Sequence, residues 1–269
     1  MLKTEMRNPK STHIDKMSSL EMVTLIAEEN YNAARAVEAE CENIAKAVDM
    51  ISASFENGGR LFFIGAGTSG RLGILDAAEC PPTYGVDHSM VTGIIAGGKN
   101  SVFRASEGAE DNEESGRKDI EEAKVKSGDV VCGISVAGGA AYVAGALKKA
   151  RLVGAKTIAL TCNRGSLIES LSDLCICTDT GAEVISGSTR MKAGSAHKMV
   201  LNMLTTCAMV KTGKVYENLM INLKPTNIKL RKRMIGIVCE ICGCDTGTSE
   251  ALLEKGNWDI REAIAIYNA

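Results

Sequence analysis

The sequence predicts an α/β protein: a doubly wound, parallel five-stranded sheet, with helices ahead of it and a small helical module behind it. Three observations carry that prediction. Short apolar runs alternate with helical spacing from Arg60 to Cys177, the pattern of a parallel sheet with crossover helices. A glycine-rich turn, Gly65-Ala-Gly-Thr-Ser-Gly70, joins the first of those runs to a helix. A chain of 269 residues is long enough for one large α/β domain with appendages.

In chain order, residues up to about Asn57 carry helical spacing. Leu20, Met22, Val23, Leu25 and Ile26 mark one helix, and Ile44, Ala47, Val48 and Ile51 a second that ends at Gly58-Gly59. The strands follow as Leu61 to Ile64, Val91 to Ile95, Val130 to Ile134, Thr157 to Leu160 and Leu174 to Cys177. The first strand feeds a helix that begins near Ser69 and ends ahead of Cys80-Pro81-Pro82, and Asp111 to Lys124 is another helix-forming stretch. A long apolar helix over Met191 to Lys211 is stopped by Gly213, the region after Pro225 is helical, and the tail from Gly243 gives two short helices, the second from about Asp259. The expected division is an N-terminal helical segment (1–57), an α/β domain (58–224) and a C-terminal helical module (225–269). The module reads as a packing cap, with a partner-binding surface as the alternative.

Composition bounds the function. With 31 basic and 33 acidic residues, nothing points to nucleic acid or an anionic membrane surface. The first residues mix Lys3, Glu5 and Arg7, and no stretch approaches the roughly 18 apolar residues of a membrane span, so a cytoplasmic protein is expected. The ten cysteines are scattered through apolar strands and helices, which suits reduced buried thiols. Cys239-x-x-Cys242-x-Cys244 has ligand-like spacing but no second pair, and core packing explains it better than zinc. No residue set suggests a metal or an organic cofactor. The apolar helix Met199 to Val210 would expose more apolar surface than a monomer tolerates, so self-association is expected.

The turn after the first strand is built for an anion. Gly65, Gly67 and Gly70 let several N–H groups converge above the helix start. Thr68 and Ser69 add hydroxyl donors, and Arg71 adds charge. G-x-G-x-x-G also occurs in dinucleotide-binding turns, but the acidic candidate Asp87 precedes the second strand instead of following it. A second cradle, Ser186-Gly187-Ser188-Thr189, opens the long helix, where the simplest reading of its hydroxyls is capping. His197 lies about two turns further on and suits helix packing better than catalysis.

Gly65-Ala-Gly-Thr-Ser-Gly-Arg-Leu-Gly-Ile-Leu-Asp-Ala-Ala-Glu-Cys-Pro-Pro-Thr-Tyr-Gly85 resembles the signature of the N-acetylmuramic acid 6-phosphate etherase family, within the sugar isomerase (SIS) superfamily. Similar to the same family are Thr4-Glu-Met-Arg-Asn-Pro9, Ile95-Ala-Gly-Gly98, Glu107-Gly-Ala-Glu-Asp111, Gly187-Ser-Thr-Arg-Met-Lys-Ala-Gly194 and Gly213-Lys-Val-Tyr-Glu-Asn-Leu-Met220 with Thr226-Asn227. The resemblance implies cleavage of a lactyl ether from a sugar 6-phosphate by elimination and hydration, in homodimers with shared active sites. It implies Glu110 as base and Glu79 as acid. The residues agree: Glu79 at a helix end near Cys80-Pro81-Pro82 would be held protonated, and Glu110 ahead of a helix start would favour its charge, although Asp111, Glu113 and Glu114 oppose this. Gly67, Thr68, Ser69, Arg71, Ser186, Ser188, Thr189 and Lys192 are the expected substrate-binding residues.

One departure matters. Where the family has A-S-G-R-T-P-Y after the third strand, this chain has Val136-Ala-Gly-Gly-Ala-Ala-Tyr142. The lost hydroxyls and charge should weaken phosphate binding, by about 1.5–3 kcal/mol for each charged hydrogen bond. The backbone N–H groups of Gly138 and Gly139 remain as candidate anion donors. Two other readings stay open: an SIS aldose–ketose isomerase, and a sugar-phosphate sensor without turnover.

Overall fold

The computed structural model describes residues 2–269. Single 3-10 turns at Lys3–Glu5, Pro9–Ser11 and Ile14–Lys16 lead into α1 (Ser19–Glu38) and α2 (Cys41–Glu56). Ser18 and Glu21 cap α1 reciprocally, each side chain accepting from the other residue's N–H, which satisfies two amides that a helix start leaves unpaired.

Strands and helices then alternate: β1 (Leu61–Gly65), α3 (Gly67–Tyr84), β2 (Val91–Ile95), α4 (Asn100–Phe103), α5 (Glu113–Glu122), β3 (Val130–Ile134), α6 (Ala141–Leu152), β4 (Lys156–Thr161), α7 (Leu167–Ser170) and β5 (Leu174–Cys177). Four helices complete the chain: α8 (Lys192–Lys211), α9 (Ile228–Cys242), α10 (Thr246–Lys255) and α11 (Ile260–Asn268).

All five strands pair in parallel in the order β2-β1-β3-β4-β5. Every residue of β1 and β3 is buried, as in a sheet covered on both faces. Phe62, Ile64 and Val131 pack with Tyr142, Val143 and Leu147 of α6. Phe63 points to the opposite face, where a Cβ added to Gly73 of α3 would lie 2.7 Å from its own Cβ. Burial of each large side chain contributes about 1.5–3 kcal/mol. The order reverses between β1 and β3, so the crevice of the fold opens at their carboxyl ends.

Two expectations change. The helix α3 does not stop before the prolines but runs through Pro81 and Pro82 to Tyr84. Proline's fixed φ is helical, so what it removes is a donor, and the helix stops only at Gly85, with φ +60°, whose N–H donates to Pro81 O at 2.8 Å. Glu79 therefore lies more than a turn inside the helix. The apolar surface expected to be exposed along α8 is instead largely covered: Val200, Leu201, Leu204, Ala208 and Met209 are fully buried.

The chain groups into two compact units, Met1–Ala78 with Ser89–Ala208, and Glu79–His88 with Met209–Ala269. The second has its own core of Met234, Val238, Leu253, Ile260 and Ala263. No helix among the described residues is long and apolar enough to cross a membrane.

Candidate active site

The carboxyl ends of β1 and β3 border a polar cavity of about 300 Å³ in the first unit. From the start of α3, just past β1, come Gly67, Thr68 and Ser69. Their turn is tight because no side chain stands in it: a Cβ on Gly65 would lie 2.8 Å from the Gly70 nitrogen, and one on Gly70 would lie 2.6 Å from the Gly65 oxygen. Thr68 and Ser69 thus sit in the first turn of α3, where N–H groups lack helical acceptors.

From β3 comes Ser135, which the sequence reading missed. Its position one residue past a buried strand, at the reversal of strand order, was the available signal. The Ser135 hydroxyl accepts from the Gly138 N–H at 3.1 Å. That amide, expected as an anion donor, is committed within the loop, and Gly139 does not line the cavity. Gly138 has φ +76°, and a Cβ there would lie 2.3 Å from Ser166 Cβ. Ala137 and Ala140 complete this wall and bring no polar side chain to it.

Glu110 enters from a third direction, on a 3-10 turn over Ala109–Asp111. The helix after it is capped by Asn112, whose side chain accepts from the Ser115 N–H at 2.9 Å. Glu110 is exposed, and so is Glu79. Glu79 belongs to the second unit.

The fourth wall joins Thr189 to a segment from the chain start. Glu5 lines the cavity beside Gly187 and Thr189, and Thr4 fixes it by accepting from Asn163 Nδ2 at 3.1 Å. Ser11 holds the same segment by donating to Val184 O at 2.7 Å. The Thr4-Glu5 motif was legible, but a contact across more than 150 residues was not.

Of the remaining expected binders, Ser186 and Ser188 do not line the cavity, and Arg71 lines an adjoining one. Lys192 is buried, 3% exposed, with Nζ 2.5 Å from Glu29 Oε2. Burial alone would raise the Glu29 pKa, but hydrogen bonds from Lys192, Lys10 and Asn8 outweigh it and hold the carboxyl at about 2. Capping of α8 falls not to the Ser186–Thr189 hydroxyls but to Glu183, which accepts from the Lys192 and Ala193 N–H groups at 3.3 and 2.9 Å. Burial raises the Glu183 pKa. His197 is fully buried with Nε2 3.5 Å from Cys162 Sγ, and burial lowers its pKa to about 4 against an opposing backbone contact at Thr161. The neutral ring is a packing element.

Among the described residues no cluster of three or more His, Cys, Asp or Glu side chains could hold a metal ion. The arrangement offers hydroxyls and amides for an oxyanion and carboxylates for proton transfer.

Family models for the glucokinase regulatory protein N-terminal SIS domain and for the SIS domain match residues 43–151 and 114–207. A phosphoheptose isomerase from Francisella tularensis has a similar fold, with TM-score 0.54 and 16% identity over 72% of this chain and 100% of that one. The N-acetylmuramic acid 6-phosphate etherase of Clostridium botulinum (strain Okra / Type B1) is 51% identical over 98% of this chain and 87% of its own length. That of Clostridium beijerinckii is 48% identical over 98% and 86%. With motif, fold and near-full-length identity in agreement, the chain belongs to the N-acetylmuramic acid 6-phosphate etherase family.

Proposed function

We propose that this protein cleaves the D-lactyl ether of N-acetylmuramic acid 6-phosphate by elimination and hydration, giving N-acetylglucosamine 6-phosphate and D-lactate. The observation that carries this reading is the position of Glu110, which shares a cavity with Thr68, Ser69 and Ser135. The hydroxyls and the first amides of α3 hold the phosphate, and the opened sugar chain brings carbon 2 to Glu110. Identity of about 50% to relatives that carry the etherase name supports the substrate.

Glu110 takes the carbon 2 proton, acidified by the neighbouring aldehyde. The electron pair left behind forms the carbon 2–carbon 3 double bond as the carbon 3–oxygen bond breaks. Glu79, which lines neither cavity, is assigned from the motif Asp76-Ala-Ala-Glu-Cys-Pro-Pro82 alone as the acid that gives a proton to the departing lactate oxygen. Water then adds at carbon 3 and a proton returns to carbon 2. Glu5 accepts from a sugar hydroxyl, and Lys192 acts at a distance by holding Glu29. The working form in this reading is a cytoplasmic homodimer with shared sites and no nucleic-acid partner. Exposed Leu75 and Phe103 support self-association, and sedimentation of the purified protein tests it.

Incubation with N-acetylmuramic acid 6-phosphate in heavy water tests the reaction. D-lactate release together with deuterium at carbon 2 is expected. The altered loop favours a second reading, since Ala137 and Ala140 line the cavity where hydroxyls would strengthen phosphate binding. Sugar-phosphate binding without either signal would establish that sensor, and ketose formation without lactate would establish an isomerase.

A further inference from the structure

Glu110 faces two cavities. The second, of about 190 Å³, shares Ala66, Gly67 and Glu110 with the first and continues past Arg71, Ser101, Ser106 and Glu107. The two differ in charge. No Lys or Arg lines the larger cavity, whereas Arg71 is the cation of the smaller one. Its guanidinium is fixed through Nε, which donates to Val102 O at 2.9 Å, and it takes part in no ion pair among the described residues. Ser101 and Ser106 sit beside each other with their hydroxyl oxygens 2.6 Å apart. Glu107, also on this wall, is exposed.

On the etherase reading, on which this inference rests, the substrate carries two anions at opposite ends: a phosphate on carbon 6 and a carboxylate on the lactyl group at carbon 3. The residue that removes the carbon 2 proton must stand where carbons 2 and 3 lie. That residue stands at the junction of the cavities, so a phosphate bound by Thr68, Ser69 and Ser135 sends the carbon 3 substituent into the smaller one. We infer that the Arg71 cavity is the subsite for the lactyl group, with the guanidinium paired to its carboxylate. An arginine fork suits a carboxylate. The pairing holds the ether bond in place during proton abstraction and retains the carboxylate as lactate leaves. It also selects for an acidic substituent at carbon 3, because a neutral one leaves the guanidinium without its counter-ion. Glu107 works against the same anion, so Arg71 sets the sign of the subsite.

The test compares two reactions of Arg71→Gln: lactate release from N-acetylmuramic acid 6-phosphate, and deuterium exchange at carbon 2 of N-acetylglucosamine 6-phosphate, which lacks the lactyl group. The expected result is a roughly 10- to 100-fold fall in kcat/KM for lactate release, the size of a lost charged hydrogen bond, with exchange within about threefold of wild type. An equal fall in both, or in neither, would overturn the assignment. A second measurement needs no variant. D-lactate should inhibit the wild-type exchange reaction while D-lactamide, uncharged and of similar size, should not; equal inhibition by both, or none by D-lactate, would overturn it as well. If the wild-type protein releases no lactate yet exchanges carbon 2, the etherase reading fails before the subsite is in question.

Discussion

Glu110 and Glu29 show how a carboxylate's role follows from its surroundings. Glu110 is exposed at a cavity junction and free of ion pairs among the described residues. Its replacement by glutamine should abolish both lactate release and carbon 2 exchange, by about a hundred- to ten-thousandfold, the usual worth of a general base. Glu79→Gln should depress lactate release far more than exchange on the product, because exchange needs no leaving group; equal losses would refute the division of labour. Glu29 is almost wholly buried among three donors. Its pKa of about 2 lies below the ordinary value near 4.3. Its stabilisation is therefore present above pH ~4.3 and lost as pH falls toward 2. Glu183 works in the opposite sense, since its raised pKa favours the protonated fold. Acid unfolding of Glu29→Gln should lack the steepest part of the wild-type decline over that range. Lys192→Met removes the closer of the two cations that hold Glu29, leaving Lys10 and Asn8, and should cost about 1–3 kcal/mol in urea unfolding.

At the scale of elements, the strands were the legible part. Val91–Ile95, Val130–Ile134 and Leu174–Cys177 coincide with β2, β3 and β5, because a strand buried on both faces is a bare apolar run between polar turns. Helix ends were less legible. Pro81 looked like a stop signal, yet α3 absorbs it, since a proline's cost is a lost donor and a local distortion rather than a forbidden conformation. The cap of α8 was hidden for another reason: Glu183 is separated from that helix by hydroxyl residues that look like caps themselves. Ser135 and Glu5 were missed because cavity walls are assembled from distant segments. The turn at Gly65 and Gly70 is as tight as its glycines imply, and it makes a sharp prediction. Gly70→Ala places a methyl 2.6 Å from both the Gly65 oxygen and Ile95 Cγ1. The helix must move away from β1 and β2, costing about 1–3 kcal/mol, and Thr68 and Ser69 move with it. Weaker phosphate-dependent thermal stabilisation of this variant is the measurable consequence.

At the scale of the molecule, each compact unit has its own interior. The second unit's core centres on Leu253, which is fully buried among Met234, Val238 and Ile260. Leu253→Ala should destabilise that unit by about 2–5 kcal/mol. Native-state hydrogen exchange should then show faster amides over 228–268 with little change in β1 and β3; uniform acceleration would mean that the two units unfold together. The first unit closes on itself through partners far apart in sequence. Thr4 meets Asn163 and Glu29 meets Lys192, 159 and 163 positions away. On the ribosome those partners emerge long after the chain start. At about 5–20 residues per second, the chain start waits roughly 10–40 s before Lys192 has been made. For most of that interval the segment carrying Glu5 lacks its docking partners Asn163 and Val184, and Glu29 has Lys10 and Asn8 but not Lys192. Completion of the cavity thus waits for the start of α8, whose Gly194 lines it, so nascent chains cut short before α8 should carry a sheet but no complete cavity.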